Sequence, residues 1–161
     1  PAMPPSEPHA PTQIRPKTLA DYLDVMSKAV FQSGISWKVV EAKWAGTRDV
    51  LAGFDPAVLA TWGDSEVDTA STDTRLIRNR KKVQAITDNA RSMLEVAATP
   101  AAFRKYLRSH QDFDGTVKAL RKRFKFLGES GAYYFLYVVG EQVPDYETWC
   151  ESRGVTPMTM R

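Results

Sequence analysis

Cysteine is nearly absent from this sequence: Cys150 stands alone among 161 residues, so no intramolecular disulfide can form and the composition suits a reducing, cytoplasmic setting. Histidine is almost as scarce. His9 and His110 are the two present, and neither shares with Cys150 a spacing that reads as a zinc site, which takes roughly three or four clustered ligands. No metal and no other cofactor is expected. Long apolar runs are missing too: the longest, Ala132 to Val139, is about half of the roughly 18 residues that span a membrane, so no membrane partner is expected. No segment alternates with the period of two that marks a strand, which leaves an all-α fold class, a single-domain helical bundle.

What is present is helical periodicity with punctuation. The opening PAMPPSEPHAPTQIRP has no apolar core of the kind a signal peptide carries, and its proline density predicts a disordered tail over residues 1–16. The folded domain is then expected over 17–153, with a C-terminal tail over 154–161. Leu19, Tyr22, Leu23, Met26 and Val30 form the stripe of a first helix behind Thr18 as N-cap, ending at Ser33-Gly34. Ser36 caps a second, short helix that Gly46 is expected to interrupt. Asp55-Pro56 starts a segment reaching Trp62, which Gly63 stops. Residues 64–76, rich in Asp, Ser and Thr, read as a weak helix or a loop. From Asn79, the residues Val83, Ile86, Ala90, Met93, Leu94 and Ala97 line one face of a long helix that Thr99-Pro100 terminates. Pro100 opens the next, through Ala102 to His110, and two more run from about Asp114 to Arg123 and from Ser130 to Val139.

The net charge is only +3, but the cations are clustered. Arg75, Arg78, Arg80, Lys81 and Lys82 surround the start of the long helix, and Arg121, Lys122, Arg123 and Lys125 precede a glycine turn. Phosphate backbones favour such clusters because each neutralised phosphate releases counterions; either run alone also reads as an ordinary solvated face. The turn itself, FLGESGA, places Gly128, Ser130 and Gly131 at the start of an apolar helix. Free N–H groups and the helix dipole there make an anion site, and a simple αα-corner has the same outline.

Four blocks, FQSGISW, FDP, LIRNRKKVQAITDNAR and RFKFLGESGAYYF, together resemble the DNA-3-methyladenine glycosylase I family in order and spacing, over about Leu19 to Cys150. That family belongs to the helix-hairpin-helix superfamily of base-excision repair enzymes, so the resemblance implies a helix-hairpin-helix element and double-stranded DNA with damaged bases as the partner; a monomer is expected because it suits a protein that scans DNA. It implies hydrolysis of the N-glycosidic bond of an alkylated purine, 3-methyladenine foremost, by base flipping. Residue by residue, it makes Gly34 and Ile35 the wedge entering the duplex, and Trp37, with Ser36 and Tyr133, the base pocket. Gly128, Ser130, Gly131, Arg78, Arg80, Lys81 and Lys125 become phosphate contacts.

Ile35 and Trp37 also read as packing residues. Asp145, in VPDYETW, falls where the wider superfamily places a catalytic aspartate, and Pro144-Asp145 equally reads as a helix start. The chain departs from the family where Ala29 replaces its base-recognising glutamate and where its histidine and cysteine zinc ligands align with Tyr146 and Cys150. No zinc is therefore expected. The alternative function is a helix-hairpin-helix protein that binds damaged or distorted DNA without cutting it.

Overall fold

A computed structural model describes residues 11–157 as nine α-helices and one short 3-10 turn, with no strand among them. They are α1 (Leu19–Gln32), α2 (Trp37–Val50), α3 (Pro56–Leu59), α4 (Asp64–Ser71), α5 (Arg80–Val96), α6 (Pro100–Leu107), α7 (Phe113–Arg123), α8 (Glu129–Val138) and α9 (Tyr146–Arg153). The all-α expectation holds. Helix α1 is the hub, touching α2, α5, α6 and α8. Its stripe Tyr22, Leu23, Met26 and Val30 is wholly buried, and Thr18 closes its start in a capping box with Asp21.

Several boundaries differ from the sequence reading, each for a physical reason. Gly46 does not interrupt α2, which continues to Val50. A Cβ on Gly46 would lie 2.9 Å from both the Cβ and the carbonyl oxygen of Arg75, so this glycine admits a neighbouring backbone rather than ending a helix. The segment after Asp55-Pro56 is helical only to Leu59. Gly63 starts α4 as much as it stops α3, because Glu66 Oε1 reaches back to accept from the Gly63 N–H at 2.6 Å. Leu94 is 38% exposed rather than on the buried face of α5, since it follows Met93 by one position and so turns off that stripe. Helix α6 ends at Leu107, short of His110.

Part of the expected N-terminal tail is ordered. Residues 1–10 of the expected tail lie outside the described residues, but 11–16 run along the end of α8. The Ile14 N–H donates to the Val138 carbonyl at 2.8 Å, Gln13 Nε2 donates to the Tyr137 carbonyl at 2.9 Å, and Pro16 is buried. At the other end, α9 buries Tyr146, Trp149 and Cys150, and Val155 folds back to the Cys150 carbonyl at 2.9 Å.

Candidate base-recognition cleft

The C-terminus of α1 and the start of α8 meet around a cleft of about 310 Å³. Ala29, Gln32 and Ser33 supply one wall, Phe126, Gly128, Glu129, Ser130 and Gly131 the other, and Val155 and Thr156 a third. Two small residues make the two helices approach here. A Cβ on Gly131 would come within 3.6 Å of the Ala29 Cβ and 3.3 Å of Leu127 Cδ1, and Ala29 itself is 3% exposed. The cleft therefore has a floor without functional groups and a rim that carries them.

The wall from α7 to α8 is a helix-hairpin-helix. Helix α7 ends at Phe124, buried, and the hairpin is held from below by Asn89 of α5. This amide, 1% exposed, accepts from the Lys125 N–H at 2.7 Å and donates to the Lys125 carbonyl at 3.1 Å. Gly128 then begins α8 with no side-chain cap and open space where its Cβ would be. The first N–H groups of α8 thus lack a side-chain acceptor, which is the anion-receptive geometry expected of Gly128, Ser130 and Gly131. Glu129 carries the cleft's one carboxylate. Its Oε1 accepts from Arg153 at 2.6 Å and Arg121 at 3.4 Å, so two guanidiniums neutralise it.

The opposite wall leads into the turn of the opening FQSGISW block. Gly34 has φ +78° with nothing near its missing Cβ, and the Ile35 N–H closes the turn on the Gln32 carbonyl at 2.9 Å. Ile35 is half-buried against the core, whereas Val39, one turn further, is exposed. The turn is clamped from behind by Lys82. This lysine is buried, and its Nζ donates to the carbonyls of Phe31 at 3.0 Å and Ser33 at 2.5 Å. Burial depresses its pKa below the ordinary lysine range. Lys82 is thus removed from the solvent-facing basic cluster, and sequence reasoning missed its role, as it missed that of Asn89. In both cases the signal was a polar residue on the apolar stripe of α5.

The other residues singled out from the sequence divide between surface and core. Arg78 and Lys81 are exposed and make no ion pair among the described residues. Arg80 is tied to Asp68 at 2.6 Å and Asp64 at 3.4 Å, and Lys125 to Asp88 at 2.8 Å. Ser36 caps α2, its Oγ accepting from the Val39 N–H at 3.3 Å. Trp37 is 5% exposed, sits 4.8 Å from the Tyr134 ring, leaves its indole N–H without a partner and does not line the cleft. Tyr133 is fully buried, donating its hydroxyl to the Pro144 carbonyl at 2.6 Å. Asp145 is the N-cap of α9: Oδ2 accepts from the Thr148 N–H at 3.0 Å and its hydroxyl at 2.8 Å, and these bonds lower its pKa.

Among the described residues no group of three His, Cys, Asp or Glu side chains is placed to hold a metal ion, and Cys150 is buried with its thiol pKa raised by burial. A larger cavity of about 550 Å³ lies between α6, α7 and the end of α8. At its edge Arg108 is engaged by both oxygens of Glu141, at 2.9 and 3.1 Å. The smaller cleft is favoured because it joins the hairpin to Gln32 and Ser33, the residues that lead into the Gly34 turn.

A helical core, a glycine-started hairpin and a cleft beside it define an all-α DNA-glycosylase type of fold. The chain belongs to the methyladenine glycosylase family, whose sequence pattern matches residues 20–124. It is 31% identical over 140 residues, 74% of either chain, to DNA-3-methyladenine glycosylase 1 of Escherichia coli (strain K12). It is 29% identical over 130 residues to the DNA-3-methyladenine glycosylase of Haemophilus influenzae, covering 68% of this chain and 70% of that one. A solved 3-methyladenine DNA glycosylase I superposes with a TM-score of 0.66 at 26% identity, over 79% of this chain and 81% of its own. The enzyme from Staphylococcus aureus superposes at 0.69 with 21% identity over 82% of both, a likeness of fold.

Proposed function

We propose that this protein is a DNA repair glycosylase that hydrolyses the N-glycosidic bond of an alkylated purine in duplex DNA, with N3-alkylated adenine as the leading substrate. The observation that carries the reading is the placement of a base-sized cleft between the Gly34 turn and the uncapped start of α8 in a chain of this family. On this reading the N–H groups of α8 hold one phosphate, Arg78 and Lys81 hold others, and Ile35 enters the gap left by the extruded nucleotide. Extrusion costs a few kcal/mol, about what unstacking requires, and is cheapest where alkylation has already weakened the pair.

The chemistry asks little of the protein. Alkylation at N3 makes the purine a cation, so when the bond from C1′ to N9 breaks, its electron pair neutralises the departing base. A water oxygen then bonds to C1′ and gives up its proton. Asp145 is proposed to stabilise the electron-poor sugar, a role open to it because Thr148 keeps the carboxylate ionised. The reading stops at the abasic site: it includes no lyase step and so calls for no lysine nucleophile.

One observation favours the alternative, binding without cleavage: Glu129, the cleft's carboxylate, is neutralised by two arginines. The test is release of free base from methylated duplex DNA, followed by chromatography under single turnover. Release of 3-methyladenine supports the glycosylase. Tight binding with no released base at high enzyme excess supports the binding protein.

A further inference from the structure

Phe126 is out of place in three respects. It is among the few large apolar side chains on the surface, 46% exposed. Its φ is +58°, in the left-handed region that a residue with a Cβ enters only at a cost. And it stands on the rim of the cleft, across from a floor made of Ala29 and Gly131. An exposed aromatic held in a strained conformation stabilises nothing in the folded core, so the strain is carried for another purpose. Its neighbours limit the candidates: Glu129 is already neutralised, and the tryptophan nearest the turn, Trp37, is buried away from the cleft.

We infer that Phe126 is the ring on which the extruded base stacks, and that the Ala29–Gly131 floor admits N3 substituents larger than methyl. The inference rests on the glycosylase reading and adds to it the stacking residue and a tolerance of alkyl size at N3. A phenyl face attracts a cationic purine through its quadrupole as well as by stacking, and so favours the alkylated base over adenine without a free carboxylate. A volume of about 310 Å³ stands at the lower end of small-molecule sites, roughly 300–1,000 Å³, which suits one purine with a compact substituent. The floor presents only a methyl group and a glycine, so nothing there selects for one alkyl group over another.

Three variants test this. Phe126→Gly removes the ring and relieves the positive φ, so it should fold at least as well as the wild type. Phe126→Tyr keeps the ring. Gly131→Ala adds a methyl to the floor, pressed on Leu127 Cδ1 and the Ala29 Cβ. Free N3-methyladenine, N3-benzyladenine and adenine are titrated into labelled protein and followed by amide shifts, while base release from alkylated DNA is measured in parallel. The expected result is binding that shifts the amides of residues 126–131. Phe126→Gly should weaken it at least about tenfold, the loss expected for one stacking contact, with most of it recovered in Phe126→Tyr. Gly131→Ala should penalise the benzyl base more than the methyl base.

Equal affinities in Phe126→Gly and wild type, shifts that map elsewhere, or no binding of any base would overturn the inference. If base binds and depends on Phe126 but no DNA lesion yields free base, the glycosylase reading fails and this one stands. If Phe126→Gly releases base at the wild-type rate, the reverse holds.

Discussion

At the scale of single residues, two side chains allow structure and function to be separated. Asp145 is a helix cap in the structure and a charge-bearing group in the proposal. Asparagine caps as well as aspartate, so Asp145→Asn should leave the melting temperature almost unchanged while removing the charge. If the carboxylate stabilises the sugar cation, base release should fall by about 10²-fold or more, the scale of losing one preorganised electrostatic group; an unchanged rate would leave Asp145 as a cap alone. Lys82 poses the opposite case. Lys82→Met fills the space but strands the carbonyls of Phe31 and Ser33. A loss of about 1–3 kcal/mol is expected, chiefly from the unsatisfied buried carbonyl of Phe31, measured by urea unfolding. The Gly34 turn should become more mobile in amide exchange, and protection there equal to wild type would contradict the clamp. Neither role was legible from residue type: a lysine in a basic run and an aspartate after a proline each fit two descriptions, and only their partners decide between them.

At the scale of elements, the sequence was most informative where caps and stripes coincided. Helices α1 and α5 begin at the expected Thr18 and Asn79 and bury the expected faces apart from Leu94. Helix α9 was legible only at its start, where Pro144-Asp145 was one of two readings; its short, polar body hid the buried stripe that Tyr146, Trp149 and Cys150 form at i, i+3 and i+4. Glycine was the ambiguous letter. Gly46 lies within a helix, so Ala there gains up to about 1 kcal/mol of propensity, yet its Cβ would press on Arg75. Overpacking of this kind costs about 1–3 kcal/mol, and Gly46→Ala should therefore lower the melting temperature despite the better helix former; a rise would mean that the Arg75 segment yields freely. Gly128 behaves in the other sense. It has open space and φ −83°, so Gly128→Asp should cap α8 and maintain or raise stability. The same carboxylate would oppose a phosphate, so DNA affinity should fall and the slope of log affinity against log salt should become shallower by about 1. An unchanged slope would remove the hairpin from the DNA contact.

At the scale of the whole molecule, the core is unusually phenolic, and this fixes how it should respond to base. Tyr22, Tyr106, Tyr133 and Tyr134 all have their pKa raised, with burial the largest cause in each. The folded protein therefore keeps protons that the unfolded chain releases above about pH 10, the ordinary tyrosine value. Stability is fully present below that pH and is lost as pH climbs toward the folded values, by up to about 1.4 kcal/mol per pH unit for each tyrosine. Cys150, also raised by burial, acts in the same direction from a lower pH, near about 8.5. Lys82 acts in the opposite direction. Its folded pKa is depressed, so it adds stability as pH rises through that value, and its contribution stops growing near about 10.4, where the unfolded lysine has also lost its proton. Four phenols against one amine decide the sign. The melting temperature should hold or change little up to about pH 9.5 and then fall steeply, with tyrosinate absorbance appearing together with unfolding rather than before it. Tyrosinate absorbance that develops fully while the fold remains intact would show that the phenols of α8 are not sealed in the core as the structure places them.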